Sequence, residues 1–408
     1  MSAPPAVSTT SAPTAPSTRT AVLAIVALAL GGFAIGTTEF VTMGLLPDIA
    51  RGVDASIPEA GHVISAYALG VVVGAPVLAA LGARLPRRRL AMGLMVAFVV
   101  GNTLSALAPG YGSLVLSRFV AGLPHGAYFG VASLIAASLV PAHLRGRAVS
   151  SVMLGLAAAN VAGVPAATWL GQQLGWRSAY WAVVVIGALT LLAVLTVVPS
   201  VPGRSEATIR TELGALRRPQ VILTLLVATV GFGGMFAMYS YIAPIVTEVA
   251  GRSAGFVPVV LLAFGVGGVL GTVLGGRLAD RALFRSLVGA TVATGVLLGI
   301  MAVSAGNALA LIVTVFTIAA AASTMVVLLQ LRLMEVAGEA QMLGAALNHS
   351  ALNAANALGA WLGGLVIAAG LGYRAPSVVG AGLAVLGLGF LLASAVLRRR
   401  ELRAPRPG

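Results

Sequence analysis

Two charged residues stand inside long apolar stretches, where a chain rarely places charge. Glu39 lies in "GTTEFVTMGLLP" (residues 36–47), within an apolar run that begins at Ala21. Arg118 lies in "LSRFVAGLPHGAYFG" (residues 116–130), which also contains His125 on the same helical face. In a membrane such a charge costs about 2.5–3.5 kcal/mol on insertion scales, so each should face a partner or a cavity.

The chemistry that these residues offer is proton transfer. A carboxyl group away from water is more readily protonated, so Glu39 can take up and release a proton. Glu39 is the only deep acid and Arg118 the only deep base, and we predict that the two are coupled, directly or through water. His125 is the third member of this predicted proton-coupling group. Plainer explanations stay open: Arg118 can reach the interface or bond backbone carbonyls, and His125 can be a packing residue.

The elements that must position these residues are membrane helices. The chain has 408 residues, of which 59% are hydrophobic and 9% charged, with a mean hydropathy of +1.01. The apolar runs do not alternate as barrel strands do. The sequence predicts an all-α membrane protein with twelve transmembrane helices in two pseudo-symmetric six-helix halves. The predicted spans are 21–46, 60–81, 90–108, 113–138, 148–170, 179–198, 220–247, 255–276, 286–304, 307–330, 341–369 and 376–397.

The distribution of charge predicts the domains and the topology. All 25 basic residues are arginines, and 20 of them fall in inner segments if the N-terminus is inside, against 4 in outer loops. This bias predicts cytoplasmic termini in the cytoplasmic membrane of a bacterium, and it explains the net charge without a nucleic-acid partner. The predicted domains are a disordered tail (1–19), an N-terminal half (20–198), a linker (199–219), a C-terminal half (220–397) and a basic tail (398–408).

The two halves also repeat one another. Asn160 matches Asn356 at an offset of 196, and Arg177 matches Arg374 at an offset of 197. A duplicated unit of this kind places the binding site near mid-membrane, between the halves. The predicted cavity-lining residues are Thr38, Thr42, Tyr239, Tyr241, His349, Asn353 and Asn356. The alternative for the span-11 residues is hydrogen bonding to neighbouring helices, and for the tyrosines a place at the membrane interface.

Enzymatic and metal sites are not predicted. The chain has no cysteine, four histidines and no lysine, so it offers neither a thiolate site nor the lysine of a nucleotide-binding loop. A nucleophile–base pair within the spans is not evident either. We expect no enzyme activity, no cofactor and no metal.

These segments resemble the drug:proton antiporters of the twelve-span branch of the major facilitator superfamily, and especially the arabinose-efflux and chloramphenicol-resistance group. The resemblance covers about residues 20–397. It implies that Glu39 takes part in proton coupling and that Arg118 serves proton transfer. "ANVAGVPAATWLG" (159–171) is similar to the span-5 antiporter motif through Asn160, Gly163 and Pro165, with Val164 inserted between the last two.

The resemblance also implies gating loops on the cytoplasmic face. The loop motif after span 2 usually carries an acid, but "GARLPRRR" (82–89) has Pro86 there. The second copy, "GRLADR" (276–281), keeps the acid, so the lock between the halves is lost in the first copy or passes to Asp280. The predicted gating residues are Gly82, Arg87, Arg88, Gly276, Asp280 and Arg281.

The expected function is proton-driven export of a small, mainly apolar compound such as a drug, by alternating access in a monomer. The partners would be this compound, protons and the lipid bilayer. Export of sugars or nucleosides would use the same proton site and is favoured by the polar face of span 11. Proton-coupled uptake is a further alternative.

Overall fold

The structure is a computed structural model that describes residues 18–82, 85–200, 218–338 and 341–403. Within these ranges the chain contains helices and turns but no strand. Eleven helical stretches are long and apolar enough to cross a membrane: Thr18–Gly44, Ile57–Leu78, Arg87–Leu107, Tyr111–Ser138, Arg145–Leu174, Arg177–Val197, Pro219–Tyr239, Ala254–Ser304, Ala308–Ala337, Leu347–Ala368 and Ala375–Arg400. The predicted all-α class is confirmed.

The eleven stretches provide twelve crossings because one of them is double. Ala254–Ser304 has 51 residues, or about 76 Å at 1.5 Å per residue, more than twice the thickness of a bilayer core. Ala282 interrupts it with non-helical backbone angles, φ −165° and ψ 77°. Spans 8 and 9 therefore separate at Ala282, and the chain has six spans in each half. Most of the predicted tail and linker (residues 1–17 and 201–217) lies outside the described residues.

Several spans are interrupted helices. Span 1 continues after Gly44 as a short helix, Leu46–Gly52. Span 4 consists of Tyr111–Gly122 and His125–Ser138, separated at Pro124. Spans 5 and 7 contain π-helical segments, which are frequent at functional sites; the segments are Ala159–Gly163 in span 5, and Val227–Gly231 and Ile245–Val249 in and just after span 7.

Other helices run past their predicted ends. Span 10 was predicted to end at 330 but extends to Ala337, and the last helix extends to Arg403. Hydropathy marks where apolar residues stop, whereas a helix can continue into the polar interface. The remaining long helices are Ile57–Gly82, Arg87–Leu107, Arg177–Val197 and Gln341–Ala368.

The molecule has two loop faces. We call the face with the loops after spans 1, 3, 5, 7, 9 and 11 the arginine-poor face, and the opposite face, with both termini, the arginine-rich face. Toward the arginine-poor face the halves are in contact: Gln172 Nε2 donates to the Ala254 carbonyl at 2.8 Å. A Cβ at Gly61 of span 2 would lie 2.2 Å from the hydroxyl of Tyr241 in the other half. The arginine-poor face also has a vestibule of about 300 Å³ between the halves. Its lining residues include Pro47, Arg51, Ser56, Pro244, Glu248 and Tyr373.

The sequence repeat has a structural counterpart at this face. Arg177 Nη2 donates to the carbonyl of Ala108 at 2.8 Å, just beyond the end of span 3. Arg374 Nη1 donates to the carbonyls of Ala302 and Val303, at 2.8 and 2.9 Å, at the end of span 9. Each half thus uses an arginine from the loop after its fifth helix to satisfy the free carbonyls at the end of its third helix.

Candidate functional site

Arg118 is completely buried within the N-terminal half, with 0% exposure. Its Nη1 donates to Thr38 Oγ1 at 2.9 Å, and its Nη2 donates to the Thr38 carbonyl oxygen at 2.9 Å. The Oδ1 atom of Asn102 in span 3 accepts from Nη1 at 3.4 Å and from the Thr38 hydroxyl at 2.5 Å. The guanidinium therefore does not reach the interface, and it bonds a backbone carbonyl as one sequence-based alternative proposed.

Two tyrosine rings complete the surroundings of Arg118. The guanidinium carbon lies 4.2 Å from the ring centroid of Tyr67 in span 2 and 5.2 Å from that of Tyr180 in span 6. Cation–π contacts of this kind are strongest when they are desolvated. Among the described residues, the groups in direct contact with the guanidinium are neutral, so it is solvated by the protein without a direct ion pair. We call Arg118, Thr38, Asn102, Tyr67 and Tyr180 the arginine cage.

Glu39 lies beside this cage and is only 7% exposed. Among the described residues there is no Glu39–Arg118 ion pair within 4 Å. The carboxyl group interacts electrostatically with Arg118, Tyr67 and Tyr239, and the residue that precedes it, Thr38, holds the guanidinium. The structure thus brings the predicted pair together without direct contact, and their coupling stays a prediction.

His125 connects to the cage through Tyr67. Its Nδ1 lies 3.1 Å from the Tyr67 hydroxyl oxygen, and its ring centroid lies 5.4 Å from that of Phe129. Phe129 stacks in turn on His349 of span 11, with centroids 6.3 Å apart and an interplanar angle of 6°. One histidine from each half therefore flanks the same phenylalanine.

An aromatic layer joins the halves next to Glu39. Phe40 of span 1 stacks on Phe236 of span 7 at 6.5 Å and meets the edge of Tyr239 at 6.1 Å. Tyr239 stacks on Phe264 of span 8 with centroids 3.9 Å apart. We call these four residues the aromatic layer.

Three of the predicted cavity residues are engaged in bonds within the protein. Thr38 belongs to the arginine cage, and the Thr42 hydroxyl lies 2.8 Å from the Tyr180 hydroxyl. The Tyr241 hydroxyl donates to the Ala360 carbonyl at 2.7 Å and so ties span 7 to span 11. These three side chains are buried in this structure, and nothing places them at an open cavity. Their contact with a substrate stays a prediction.

The predicted asparagines are different, because they are buried with unused hydrogen-bonding capacity. Asn356 is 1% exposed, and neither amide atom has a partner in the described part of the chain. Asn353 Nδ2 donates to the His349 carbonyl at 3.1 Å, and Asn160 Nδ2 donates to the Leu156 carbonyl at 3.2 Å. The Oδ1 atoms of both are left unpaired among the described residues. Unpaired buried amides are costly, so these positions can be completed by water or by a bound compound.

The antiporter motif forms the crossing point of spans 5 and 8. Asn160 and Gly163 lie in the π-helical segment, and Pro165 lies in the first turn of the helix Val164–Leu174. A Cβ at Gly163 would lie 2.3 Å from Thr37 Oγ1 of span 1, and one at Gly265 of span 8 would lie 2.3 Å from the Asn160 carbonyl oxygen. Both glycines permit close helix contact, as the small-residue explanation expects.

The predicted gating residues form no lock in this structure. Gly82 packs on Leu90, Arg87 donates to the Leu134 carbonyl at 3.4 Å, and Arg88 donates to the Leu195 carbonyl. Asp280 and Arg281 are exposed and take part in none of the ion pairs of the described chain. A Cβ at Gly276 would have no neighbour within 4 Å. Their role in gating stays a prediction.

Sequence reasoning missed a second buried arginine, at the arginine-rich end of the C-terminal half. Arg332 is 3% exposed; its Nη1 donates to Glu335 Oε2 at 2.8 Å and its Nη2 to Gln220 Oε1 at 3.2 Å. The Ser394 hydroxyl donates to the same Gln220 oxygen at 2.6 Å, and Arg398 lies 3.9 Å from Glu335. We call these five residues the C-terminal arginine cluster.

It also missed the cage residues Asn102, Tyr67 and Tyr180. An amide within the apolar run of span 3 was a usable signal for Asn102. The tyrosines carried none, because tyrosine is common in membrane helices. Among the described residues, no group of three or more His, Cys, Asp or Glu side chains that could hold a metal exists.

Comparison with known proteins agrees with this arrangement. Residues 28–347 match the family model of the Major Facilitator Superfamily. The chain is 44% identical over 368 residues to the inner membrane transport protein YdhP of Escherichia coli strain K12, which covers 90% of this chain and 94% of that protein. It is 38% identical over 248 residues to the chloramphenicol resistance protein of Streptomyces lividans, covering 60% of this chain and 63% of that protein.

The fold is also that of a solved transporter. The crystal structure of a D-xylose-proton symporter superimposes with a TM-score of 0.71 at 19% identity, covering 92% of this chain and 97% of that one. The resemblance to the drug:proton antiporter group that the sequence motifs indicated is confirmed. A multi-pass transporter is thus established, and the chain belongs to the Major Facilitator Superfamily.

Proposed function

We propose that the protein exports a small, mainly apolar compound across the cytoplasmic membrane in exchange for protons. The observation that carries this proposal is Glu39, a buried carboxyl group beside a guanidinium that only neutral groups contact. An acid in this position changes the charge balance of the N-terminal half whenever it gains or loses a proton. A purely structural role could be filled by glutamine at lower cost.

The mechanism follows from the electrostatics. Ionised Glu39 attracts the uncompensated charge of Arg118, and protonation removes that attraction. Shifting a two-state transporter from 1:99 to 99:1 needs about 5.5 kcal/mol of differential binding. A charge that moves through 100 mV contributes about 2.3 kcal/mol. The potential acting on one charge supplies less than half of this requirement, and we propose that protonation of Glu39 supplies the rest.

We infer the orientation from the arginines. The arginine-rich face, with both termini, is cytoplasmic under the positive-inside rule. The vestibule at the arginine-poor face is then external, and we infer that protons reach Glu39 from that side.

The substrate class rests on weaker support. The relative from Streptomyces lividans is a chloramphenicol resistance protein, and the buried aromatic layer makes the surroundings of Glu39 mainly apolar. Export of sugars or nucleosides is the second candidate, favoured by the unpaired amide groups of Asn353 and Asn356.

The test is proton release from everted vesicles, followed with a pH-sensitive dye. The panel contains chloramphenicol, D-xylose and a nucleoside, and the variants are Glu39→Gln and, as control, Asp54→Asn in an exposed loop. Antiport predicts that one compound releases protons in the parent and in Asp54→Asn but not in Glu39→Gln. An equal response of Glu39→Gln would refute the role of the carboxylate. Proton-coupled uptake is recognised when intact cells accumulate the labelled compound instead of excluding it.

A further inference from the structure

Tyr67 occupies the one position that touches both Arg118 and His125. Its ring lies under the guanidinium at 4.2 Å, and its hydroxyl lies 3.1 Å from His125 Nδ1. Tyr67 is buried and its span packs along span 11 of the other half. The two contacts use different parts of one side chain, so they can be separated by mutation.

We propose that Tyr67 is the proton-transfer and positioning residue that links the arginine cage to His125. This inference rests on the proposed proton coupling and deepens it. The ring holds the guanidinium next to Thr38, while the hydroxyl fixes the orientation of the imidazole. A buried tyrosine hydroxyl needs a hydrogen-bond partner in any case; here the partner is a titratable ring nitrogen, whereas that of Tyr128 is a backbone carbonyl.

The proton step balances without any added reagent except water. The carboxyl group of Glu39 releases its proton, which reaches the Tyr67 oxygen directly or through a water molecule. The tyrosine passes its own hydroxyl hydrogen to His125 Nδ1, so Tyr67 ends neutral, Glu39 is a carboxylate and His125 is an imidazolium. The imidazolium is transient, because Nε2 passes its hydrogen to a water molecule and leaves His125 neutral.

The path ends near the interface between the halves, where Phe129 stacks on His349. His125 and His349 lie on either side of Phe129 and interact electrostatically, so a charge on one disfavours a charge on the other. The titratable or charged groups around this path are Glu39 on span 1, Arg118 on span 4, Tyr180 on span 6, Tyr239 on span 7 and His349 on span 11. His349 is half-buried and is the last of them from the cage.

The variant that isolates the hydroxyl is Tyr67→Phe, which keeps the ring beneath Arg118. The matched control is Tyr128→Phe, because Tyr128 is also buried but its hydroxyl donates to the Leu28 carbonyl, outside the path. The first readout needs no substrate: ¹⁵N spectra of histidine-labelled protein, with His125 assigned by His125→Gln. Tyr67→Phe should shift the His125 ring nitrogens, and Tyr128→Phe should not.

The second readout is coupling, with chloramphenicol as the probe. Tyr67→Phe should lower compound-driven proton release about tenfold or more, while exchange of labelled against unlabelled compound stays near the parental rate. Tyr67→Leu, which also removes the ring, should lower both. A merely structural tyrosine would affect exchange and proton release alike.

Unchanged His125 signals in Tyr67→Phe, or parental proton release, would overturn the inference. If Tyr67→Phe does not fold, His125→Gln decides the point, since it removes the acceptor and should give the same selective loss of proton release. If the parent itself releases no protons with any compound of the panel, the proposed function fails, and the ¹⁵N spectra still decide whether Tyr67 holds His125.

Discussion

In the part of the chain that the structure describes, each half buries one arginine, but the surroundings of the two charges are opposite. Arg118 is surrounded by a threonine, an asparagine and two tyrosine rings, all neutral. Arg332 has a carboxylate, Glu335, at 2.8 Å and lies at the arginine-rich end of the bundle. Glu335 is 46% exposed and is shared with Arg398.

Under the proposed proton coupling, the difference predicts that the N-terminal half responds to protonation. A charge that is already paired responds little to a distant acid, whereas an unpaired buried charge responds strongly, because little screening separates the two. Arg118 is therefore suited to follow the protonation of Glu39. The C-terminal arginine cluster is suited to tie spans 7, 10 and 12 together. Arg177 and Arg374 make equivalent bonds in the two halves. The two buried arginines, Arg118 and Arg332, have different partners.

The largest effect is expected from removing the unpaired charge. Arg118→Met should reduce compound-driven proton release about 100-fold or more, the range that proton-transfer groups contribute. Arg332→Met, the matched change in the other half, should leave it within about twofold. Proton release in everted vesicles measures both. Equal losses in the two variants would remove the distinction between the halves.

A smaller effect should follow from crowding the contact of the halves. Gly265→Ala places a methyl group 2.3 Å from the Asn160 carbonyl oxygen, so spans 5 and 8 must separate at a cost of about 1–3 kcal/mol. Gly299→Ala is the control, because a Cβ there has no neighbour within 4 Å. Exchange of labelled compound should fall about tenfold only for Gly265→Ala. If Gly265→Ala exchanges the compound at the parental rate, spans 5 and 8 can separate at this contact with little cost in free energy.

Arg332→Met should also lower stability, by about 1–2 kcal/mol. The loss is limited because Gln220 keeps its bond to Ser394 and Glu335 remains half-exposed to solvent. Thermal unfolding in detergent gives the measurement, with Arg281→Met as the exposed control. A change as small as that of the control would show that the C-terminal arginine cluster does not hold its spans.

The smallest effect tests what the halves share. Arg177→Gln and Arg374→Gln each remove charged hydrogen bonds to helix-end carbonyls, and each should cost about 1 kcal/mol in thermal unfolding. Arg374→Gln should cost slightly more, since Arg374 bonds two carbonyls and Arg177 one. If one variant loses much stability and the other none, the two arginines do not stabilise their halves in the same way.

Much of the fold was predictable because the bilayer imposes it. Apolar runs of fixed length predicted all twelve spans, and the insertion cost of charge singled out Glu39 and Arg118. The break at Pro124 and the π-helical segments were not predicted, since both lie within continuous apolar sequence. Arg332 was overlooked because it stands near a helix end, where arginine is common.

The sequence by itself determined the class and the count of helices, because these depend on composition and periodicity. Matched residues at a nearly constant offset indicated the duplication, and the resemblance of short motifs indicated the superfamily. Tertiary structure alone decided the partners of the charges. Thr38, Asn102, Tyr67 and Tyr180 come from four different spans, and the periodicity of one helix says nothing about the rotation of its neighbours. It was the packing of those neighbours that kept Arg118 out of direct ion pairing among the described residues, put Tyr67 between Arg118 and His125, and placed His125 and His349 on either side of Phe129.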